Sequence, residues 1–342
     1  MLVSRPLRGW ARAQGRAPGL RWLCCCENDR ADADKGVRWM RVAITGSTGL
    51  VGGALAADLA SDGHQVIRLV RRPPRGGGEV GWDPLTAGSL NPAALSGIAA
   101  VVHLAGAPIA AGRWTDARKA ELRASRITST DTLVQAMTAA TDRPTVLLCG
   151  SAIGWYGDTS DRAVDETAPA GSGFLAELVR DWEAAAWQAR PAGIRVASLR
   201  SGIVLSRRGG MLSRLVPLFR LGLGARIGAG SQYVSWVTLT DEVRAIRFLL
   251  DQPALDGPVN LTAPEPVTNA ELTTALGRVL GRPALLRVPA PLLRAGLGEV
   301  SSELLSGARV LPRKLTEAGF TFRYPDLAGA LTAELAPGQP AA

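Results

Sequence analysis

The segment Arg41-Val-Ala-Ile-Thr-Gly-Ser-Thr-Gly-Leu-Val-Gly-Gly53 constrains the fold more than any other part of the chain. A short apolar run (Val42, Ala43, Ile44) breaks into Gly46, Gly49 and Gly52, and a helix-compatible run over residues 54–60 follows. Strand, glycine turn and helix in that order converge backbone N–H groups and the positive end of a helix dipole on one point, where a pyrophosphate fits. The three glycines serve three steric needs, namely the tight turn, close approach to the phosphate, and close packing of helix on strand. Gly46, Ser47, Thr48, Gly49, Leu50, Val51 and Gly52 are therefore candidate dinucleotide contacts.

The next strand-like run, Gln65-Val-Ile-Arg-Leu-Val70, ends in Arg71-Arg72-Pro73-Pro74. In folds of this kind an acidic residue at that strand end accepts hydrogen bonds from the ribose 2′-hydroxyl of NAD. Here two guanidiniums stand instead, and their planar forks match a phosphate. Arg71 and Arg72 are thus expected to select NADP(H). The alternative is a solvated surface pair in an Arg-rich chain, since 36 of the 39 basic residues are Arg.

The formal charge is +9 over 342 residues, with a sequence pI of about 10.2. The Arg preference without aromatic–basic interleaving gives no support to nucleic-acid binding. Residues 1–39 carry seven Arg and one Lys against four acids, and they end just before Met40. An upstream, non-native start and a cleaved transit peptide both fit this extension. Three of the four cysteines lie in it, leaving Cys149 in the body, so a disulfide framework is not expected and a reducing, cytoplasmic setting is. Only His64 and His103 occur, which argues against a metal site. No apolar run reaches the roughly 18–20 residues that span a bilayer, and no membrane partner is expected.

Along the body, strands are expected at residues 79–83, 99–105, 145–151 and 194–199, with helices over 115–140 and 174–190. Alternation at this spacing predicts an α/β fold, a doubly wound parallel sheet whose strand C-termini share the ligand edge. From about residue 206 the pattern shifts to shorter elements, while a helix over 241–250 and a strand over 258–261 return to the sheet. The expected division is a dinucleotide-binding part, 40–205 with 238–262, and a smaller C-terminal substrate part, 206–237 with 263–336, then a tail over 337–342.

Together these residues give a resemblance. Ile-Thr-Gly-Ser-Thr-Gly-Leu-Val-Gly (44–52), His-Leu-Ala-Gly (103–106), Arg-Trp-Thr (113–115) and Ser125-Arg126 are its first carriers. Gly-Trp-Tyr-Gly-Asp (154–158), Leu-Arg-Ser-Gly-Ile-Val-Leu (199–205), Pro-Leu-Phe-Arg-Leu-Gly-Leu-Gly (217–224) and Glu-Ala-Gly-Phe-Thr-Phe (317–322) continue it. Over residues 40–336 the chain resembles an extended short-chain dehydrogenase/reductase with a Rossmann fold. More narrowly, it resembles epimerase-family proteins that carry a small C-terminal domain of uncharacterised function. The resemblance implies NADP(H) at residues 46–52 and 71–72, backbone contact from Leu104, Ala105 and Gly106 beside the nicotinamide ribose, and Arg126 on the cofactor. One departure is Trp236-Val-Thr238, where relatives have Trp-Ile-His.

Enzymes of this type use Tyr-x-x-x-Lys, in which Lys lowers the Tyr pKa. The only tyrosines are Tyr156, Tyr233 and Tyr324, and the residues four further on are Ser160, Val237 and Ala328. The motif's expected position reads Phe174-Leu-Ala-Glu-Leu178. An unassisted tyrosine of pKa near 10 withholds about 4 kcal/mol from proton abstraction at pH 7. Tyr156 is the candidate substitute, with Ser151 as a partner for a substrate carbonyl; a structural aromatic closing a turn is the alternative. Lys119 is read as lying on a solvated helix face. Between residues 184 and 240 stand eight Arg and no Asp, Glu or Lys, so an anionic, even phosphorylated, small-molecule substrate is expected; a basic surface is the competing reading. Two functions remain open: an NADP(H)-dependent oxidoreductase or epimerase with a substituted acid/base group, and an NADP(H)-sensing protein that acts through a partner without turnover. The expected assembly is a monomer or homodimer.

Overall fold

A computed structural model of the chain describes residues 39–336. The expectations for the N-terminal extension and the C-terminal tail concern residues outside that range. Seven strands form the central sheet: β1 (Arg41–Thr45), β2 (Gln65–Val70), β3 (Glu79–Gly81), β4 (Ala100–His103), β5 (Val146–Ala152), β6 (Arg195–Ser201) and β7 (Gly257–Leu261). Their order is β7-β6-β5-β4-β1-β2-β3, and every pairing is parallel. The order of winding reverses between β1 and β4, and such a switch point opens a crevice at the strand C-termini.

The strand interiors are continuously apolar because both faces are covered. On one face Val42, Ile44, Val102, Leu148 and Leu199 pack with α1 (Leu50–Ser61) and later segments; on the other Ala43, Val101, Leu147 and Val196 pack with the helices between β4 and β6. Between β4 and β5 the sequence predicts one helix over 115–140, but the chain forms two, α2 (Asp116–Ala124) and α3 (Ile127–Ala139). The break falls at Ser125-Arg126. Ser125 Oγ accepts a hydrogen bond from the Ala107 N–H at 3.1 Å, and Arg126 Nη2 donates to the Ala107 carbonyl at 3.0 Å. Neither Gly nor Pro marks the break, which is made by polar side chains.

Helix α4 (Phe174–Trp187) links β5 to β6, and α5 (Gly210–Arg220) follows β6. Helix α6 (Leu239–Asp251) lies against α1, where Arg247 pairs with Asp58 and Asp62. It leads into β7, which joins the main sheet beside β6. The remaining helices are α7 (Asn269–Val279), α8 (Ala290–Leu297), α9 (Val300–Leu305), α10 (Arg313–Glu317) and α11 (Leu327–Leu335). A separate apolar cluster, including Leu212, Phe219, Trp236, Leu272, Leu276 and Leu331, joins α5, α7 and α11. Thr268 and Glu271 close a reciprocal capping box at the start of α7. Among the described residues, no helix is long and apolar enough to cross a membrane.

Candidate functional site

At the switch point, Gly46 adopts φ +67°, and a Cβ there would stand 2.7 Å from the Leu104 carbonyl carbon and oxygen. A Cβ on Gly52 would collide with the Gly46 carbonyl oxygen. Both positions are closed to any side chain by backbone. Helix α1 begins at Gly49 with no side-chain cap, and its first helical bond runs from Gly53 N–H to the Gly49 carbonyl. The preceding N–H groups of the first turn therefore keep no helical acceptor. A tight cradle with unspent donors and a positive dipole end fits the pyrophosphate of a dinucleotide.

The residue before that turn completes the arrangement. Thr45 Oγ1 accepts from the N–H groups of Leu104 (3.0 Å) and Ala105 (3.1 Å) and lies 2.7 Å from His103 Nδ1. Burial, helped by the nearby Arg126 charge, holds His103 down at about 4, so the ring is neutral at pH 7. With its oxygen already accepting twice, Thr45 directs its own proton to Nδ1, which assigns the remaining ring proton to Nε2. The Thr45–His103 pair thus pins the β4 turn, residues 104–106, over the glycine cradle. Sequence reasoning missed both residues; a Thr and a His ending adjacent buried strands were the available signal.

The two arginines at the end of β2 separate. Arg72 donates to Glu79 through Nη1 (2.8 Å) and Nη2 (2.6 Å), and Glu79 also accepts from the Arg75 N–H at 2.7 Å. These hydrogen bonds hold Glu79 at about 2, Arg72 contributing most. Arg71 is exposed, and no described carboxylate pairs with it. Of the two guanidiniums expected to select NADP(H), Arg72 is thus ion-paired with Glu79 on β3, and Arg71 has no ion pair among the described residues.

Arg126 is buried without a carboxylate partner among the described residues. It donates to the Ala107 and Leu122 carbonyls and stacks 5.2 Å from the Trp182 ring. Desolvation, then Arg118, lowers it to about 10. A Cβ on Gly106 would meet its guanidinium carbon at 3.2 Å. Arg126 thus lies directly behind the 104–107 turn and braces it.

Tyr156 and Ser151, the expected catalytic pair, belong to a buried network. Register places Ser151 beside Arg200 and Arg200 beside Asn260 across β5, β6 and β7. Arg200 donates to both oxygens of Glu183, from Nε at 2.8 Å and Nη2 at 2.9 Å, and Ser151 Oγ donates to Glu183 at 2.6 Å. The Tyr156 hydroxyl donates to Asn260 Oδ1 at 2.7 Å and accepts from Arg200 Nη1 at 3.1 Å. Burial pushes Tyr156 up to about 12. Its hydroxyl is engaged within the network and harder to ionise than a free phenol, while Tyr156 also lines the neighbouring cavity. Ser151 is held by its hydrogen bond to Glu183.

Beside this network, where residues 156–174 meet α9, a cavity of ≈ 370 Å³ opens. Trp114 and Phe174 line it in an edge-to-face pair with ring centroids 5.1 Å apart, together with Asp158, Arg162, Glu299 and Glu303. Lys119 is not on a bare solvated face: it pairs with Glu299 at 2.6 Å, 5.1 Å from the Phe174 ring centroid, and ties α2 to α9. None of the eight arginines between residues 184 and 240 lines this cavity. Arg190 pairs with Asp256, Arg195 donates to carbonyls of residues 249, 250 and 255, and Arg200 is buried on Glu183. Among the described residues, no cluster of three or more His, Cys, Asp or Glu could hold a metal ion, and Cys149 is a buried free thiol.

Comparison with known proteins gives this arrangement a setting. Residues 42–261 match the model of the NAD dependent epimerase/dehydratase family, and residues 288–334 match a domain of unknown function. An epimerase family protein of Mycobacterium bovis is 50% identical over 291 residues, covering 85% of this chain and 96% of that protein. The crystal structure of human epimerase family protein SDR39U1 with NADPH is 34% identical, with a TM-score of 0.80 over 86% of this chain and 98% of that one. A Corynebacterium glutamicum nucleoside-diphosphate sugar epimerase is 36% identical, with a TM-score of 0.72 over 87% of this chain and 58% of that one. The chain belongs to the NAD dependent epimerase/dehydratase family.

Proposed function

We propose that this member of the epimerase/dehydratase family binds NADP(H) across the β1–α1 turn and acts as an oxidoreductase or epimerase on a small molecule held in the cavity beside Phe174. The observation that carries the cofactor reading is the side-chain-free cradle at Gly46 and Gly52 over an uncapped α1. Arg71 supports the 2′-phosphate form, because its fork is uncommitted where NAD-selective folds place a carboxylate. The NADPH in the structure of the human relative supports the same choice.

When bound, the dinucleotide supplies or accepts a hydride at its nicotinamide ring. The protein's own residues bind and orient: Thr45 and His103 hold the 104–106 turn, and Arg126 braces it from behind. Proton transfer falls to a group other than Tyr156. Within the cavity the Glu303 carboxyl, although exposed on its outer side, is raised above the usual carboxylate range, by partial desolvation first and by the neighbouring Glu299 second, which makes it the candidate proton donor. The cavity also redirects the expected substrate. With Asp158, Glu299 and Glu303 facing one Arg162, it suits a hydroxyl-rich or amine-bearing ligand better than a phosphate. The Corynebacterium relative's name, nucleoside-diphosphate sugar epimerase, supports the hydroxyl-rich part of that reading, while the substrate it names also carries a diphosphate.

A second reading, NADP(H) sensing without turnover, is favoured by one feature of the sequence: where the resemblance expects the catalytic tyrosine the chain has Phe174, and no tyrosine is followed four residues on by a lysine. A stopped-flow screen of NADPH oxidation against sugar and amino-sugar carbonyl compounds separates the two. Turnover that Glu303→Gln abolishes and Tyr156→Phe retains supports the enzyme. NADPH binding without oxidation of any compound supports the sensor.

A further inference from the structure

Two stretches of chain far apart in sequence contain no acidic residue: 209–230, from the start of α5 past its end, and 281–298, which includes α8. The fold brings them together. The short strand Ala225–Ile227 pairs in parallel with Leu286–Val288. Arg282 Nε donates to the Arg220 carbonyl at 3.3 Å, and Arg287 Nε to the Gly228 carbonyl at 2.6 Å. Together the two joined stretches carry Arg214, Arg220, Arg226, Arg282, Arg287 and Arg294, and no carboxylate forms an ion pair with any of them among the described residues.

Among these arginines stand leucines that the fold leaves in water: Leu218, Leu221, Leu223, Leu285, Leu286 and Leu292, with exposures of 74% at Leu221, 87% at Leu285 and 64% at Leu292. Helix α8 (Ala-Pro-Leu-Leu-Arg-Ala-Gly-Leu) buries none of its residues. Single exposed leucines are ordinary, but a cluster on paired elements rimmed by one sign of charge marks an interaction surface. A second copy of the chain fits it poorly, because a two-fold contact would set one arginine rim against the other. Apolar side chains among long cationic ones fit a surface that is anionic at its boundary and apolar below it.

We propose that this face docks on the surface of an anionic phospholipid bilayer. The leucines enter the boundary between headgroups and acyl chains while the guanidiniums pair with lipid phosphates. Docking of this kind needs no spanning segment, so it revises the expectation of no membrane partner without requiring a transmembrane helix.

The test is sedimentation of the full chain with vesicles of phosphatidylcholine alone and with an equimolar mixture of phosphatidylcholine and phosphatidylserine. Residues 1–38 are themselves Arg-rich, so the variants carry the decision. Leu221→Ser with Leu292→Ser, and Arg220→Glu with Arg294→Glu, are each expected to lower partitioning to the mixed vesicles by roughly tenfold or more. The thermal midpoint of each double variant is expected to stay unchanged, since every altered side chain is exposed. Wild-type binding to the mixed vesicles is expected to weaken with added salt, and binding to phosphatidylcholine alone to be much weaker. Equal pelleting of wild type and both variants would overturn the proposal, as would equal binding to the two vesicle types. So would self-association in sedimentation velocity that the leucine variant removes, or capture by polyglutamate in place of vesicles.

Discussion

Neighbouring side chains of one type take different roles here because their partners differ. Arg72 has Glu79 within 2.6 Å, whereas Arg71 has no carboxylate. Arg71→Ala is expected to weaken NADPH binding by roughly tenfold, the worth of one charge-assisted hydrogen bond, while leaving NADH binding nearly unchanged. Fluorescence titration with both nucleotides measures this, and an equal loss for both would give Arg71 some other role. Tyr156→Phe removes one donor and one acceptor from a buried network and is expected to cost about 1–2 kcal/mol of unfolding free energy in denaturant melts; an unchanged midpoint would mean that the hydroxyl is not engaged. Glu242 supplies the pH dependence. It is buried at the start of α6, where Oε1 accepts from Ser201 at 2.5 Å and Oε2 has no partner. Burial pushes it up to about 8 from 4.5. Between those values the folded protein holds a proton that the unfolded chain has released, so stability falls as pH rises from about 4.5 toward about 8. Glu242→Gln should flatten that slope in melts taken at about pH 5 and pH 8. A variant as pH-sensitive as wild type would show that the group titrates normally.

Elements whose cause is local were legible in the sequence; those whose cause is a distant partner were not. The β1–α1 turn could be read from three glycines because backbone sterics alone demand them. The structure adds the partner: Gly46 is fixed by the Leu104 backbone, and Gly52 by Gly46. Gly52→Ala is accordingly expected to cost about 1–3 kcal/mol and to abolish nucleotide binding; calorimetric unfolding and titration of the same sample report both. Retained NADPH affinity in that variant would contradict the cradle. The α2–α3 break escaped notice because neither Gly nor Pro marks it between residues 115 and 140. Only the meeting of Ser125 and Arg126 with Ala107 explains why the chain stops there. The partners of Tyr156 were illegible for the same reason: its neighbours in sequence gave it a place at the ligand edge, while Asn260, more than one hundred residues on, accepts its hydrogen bond.

For the whole molecule, strand alternation was enough to foresee the doubly wound sheet, and β7 joins it beside β6 as the pattern implied. The distribution of charge was not foreseeable. A run of eight arginines looks like one basic surface in sequence, yet the fold buries Arg200 on Glu183, ties Arg190 to Asp256, and gathers Arg214, Arg220 and Arg226 with arginines from residues 281–298. The charged groups that line the cavity come instead from the segment after β5 and from the start of α9, and three of the four are acidic. The glycine cradle and the pinned 104–106 turn meet at the switch point between β1 and β4, with Arg71 at the end of the adjacent β2, and the central claim is that this point holds NADP(H). Equilibrium titration of the full chain with NADPH and with NADH tests it most directly. Binding of NADPH at least roughly tenfold tighter than NADH is the expected result; equal affinities, or no binding of either, would contradict it.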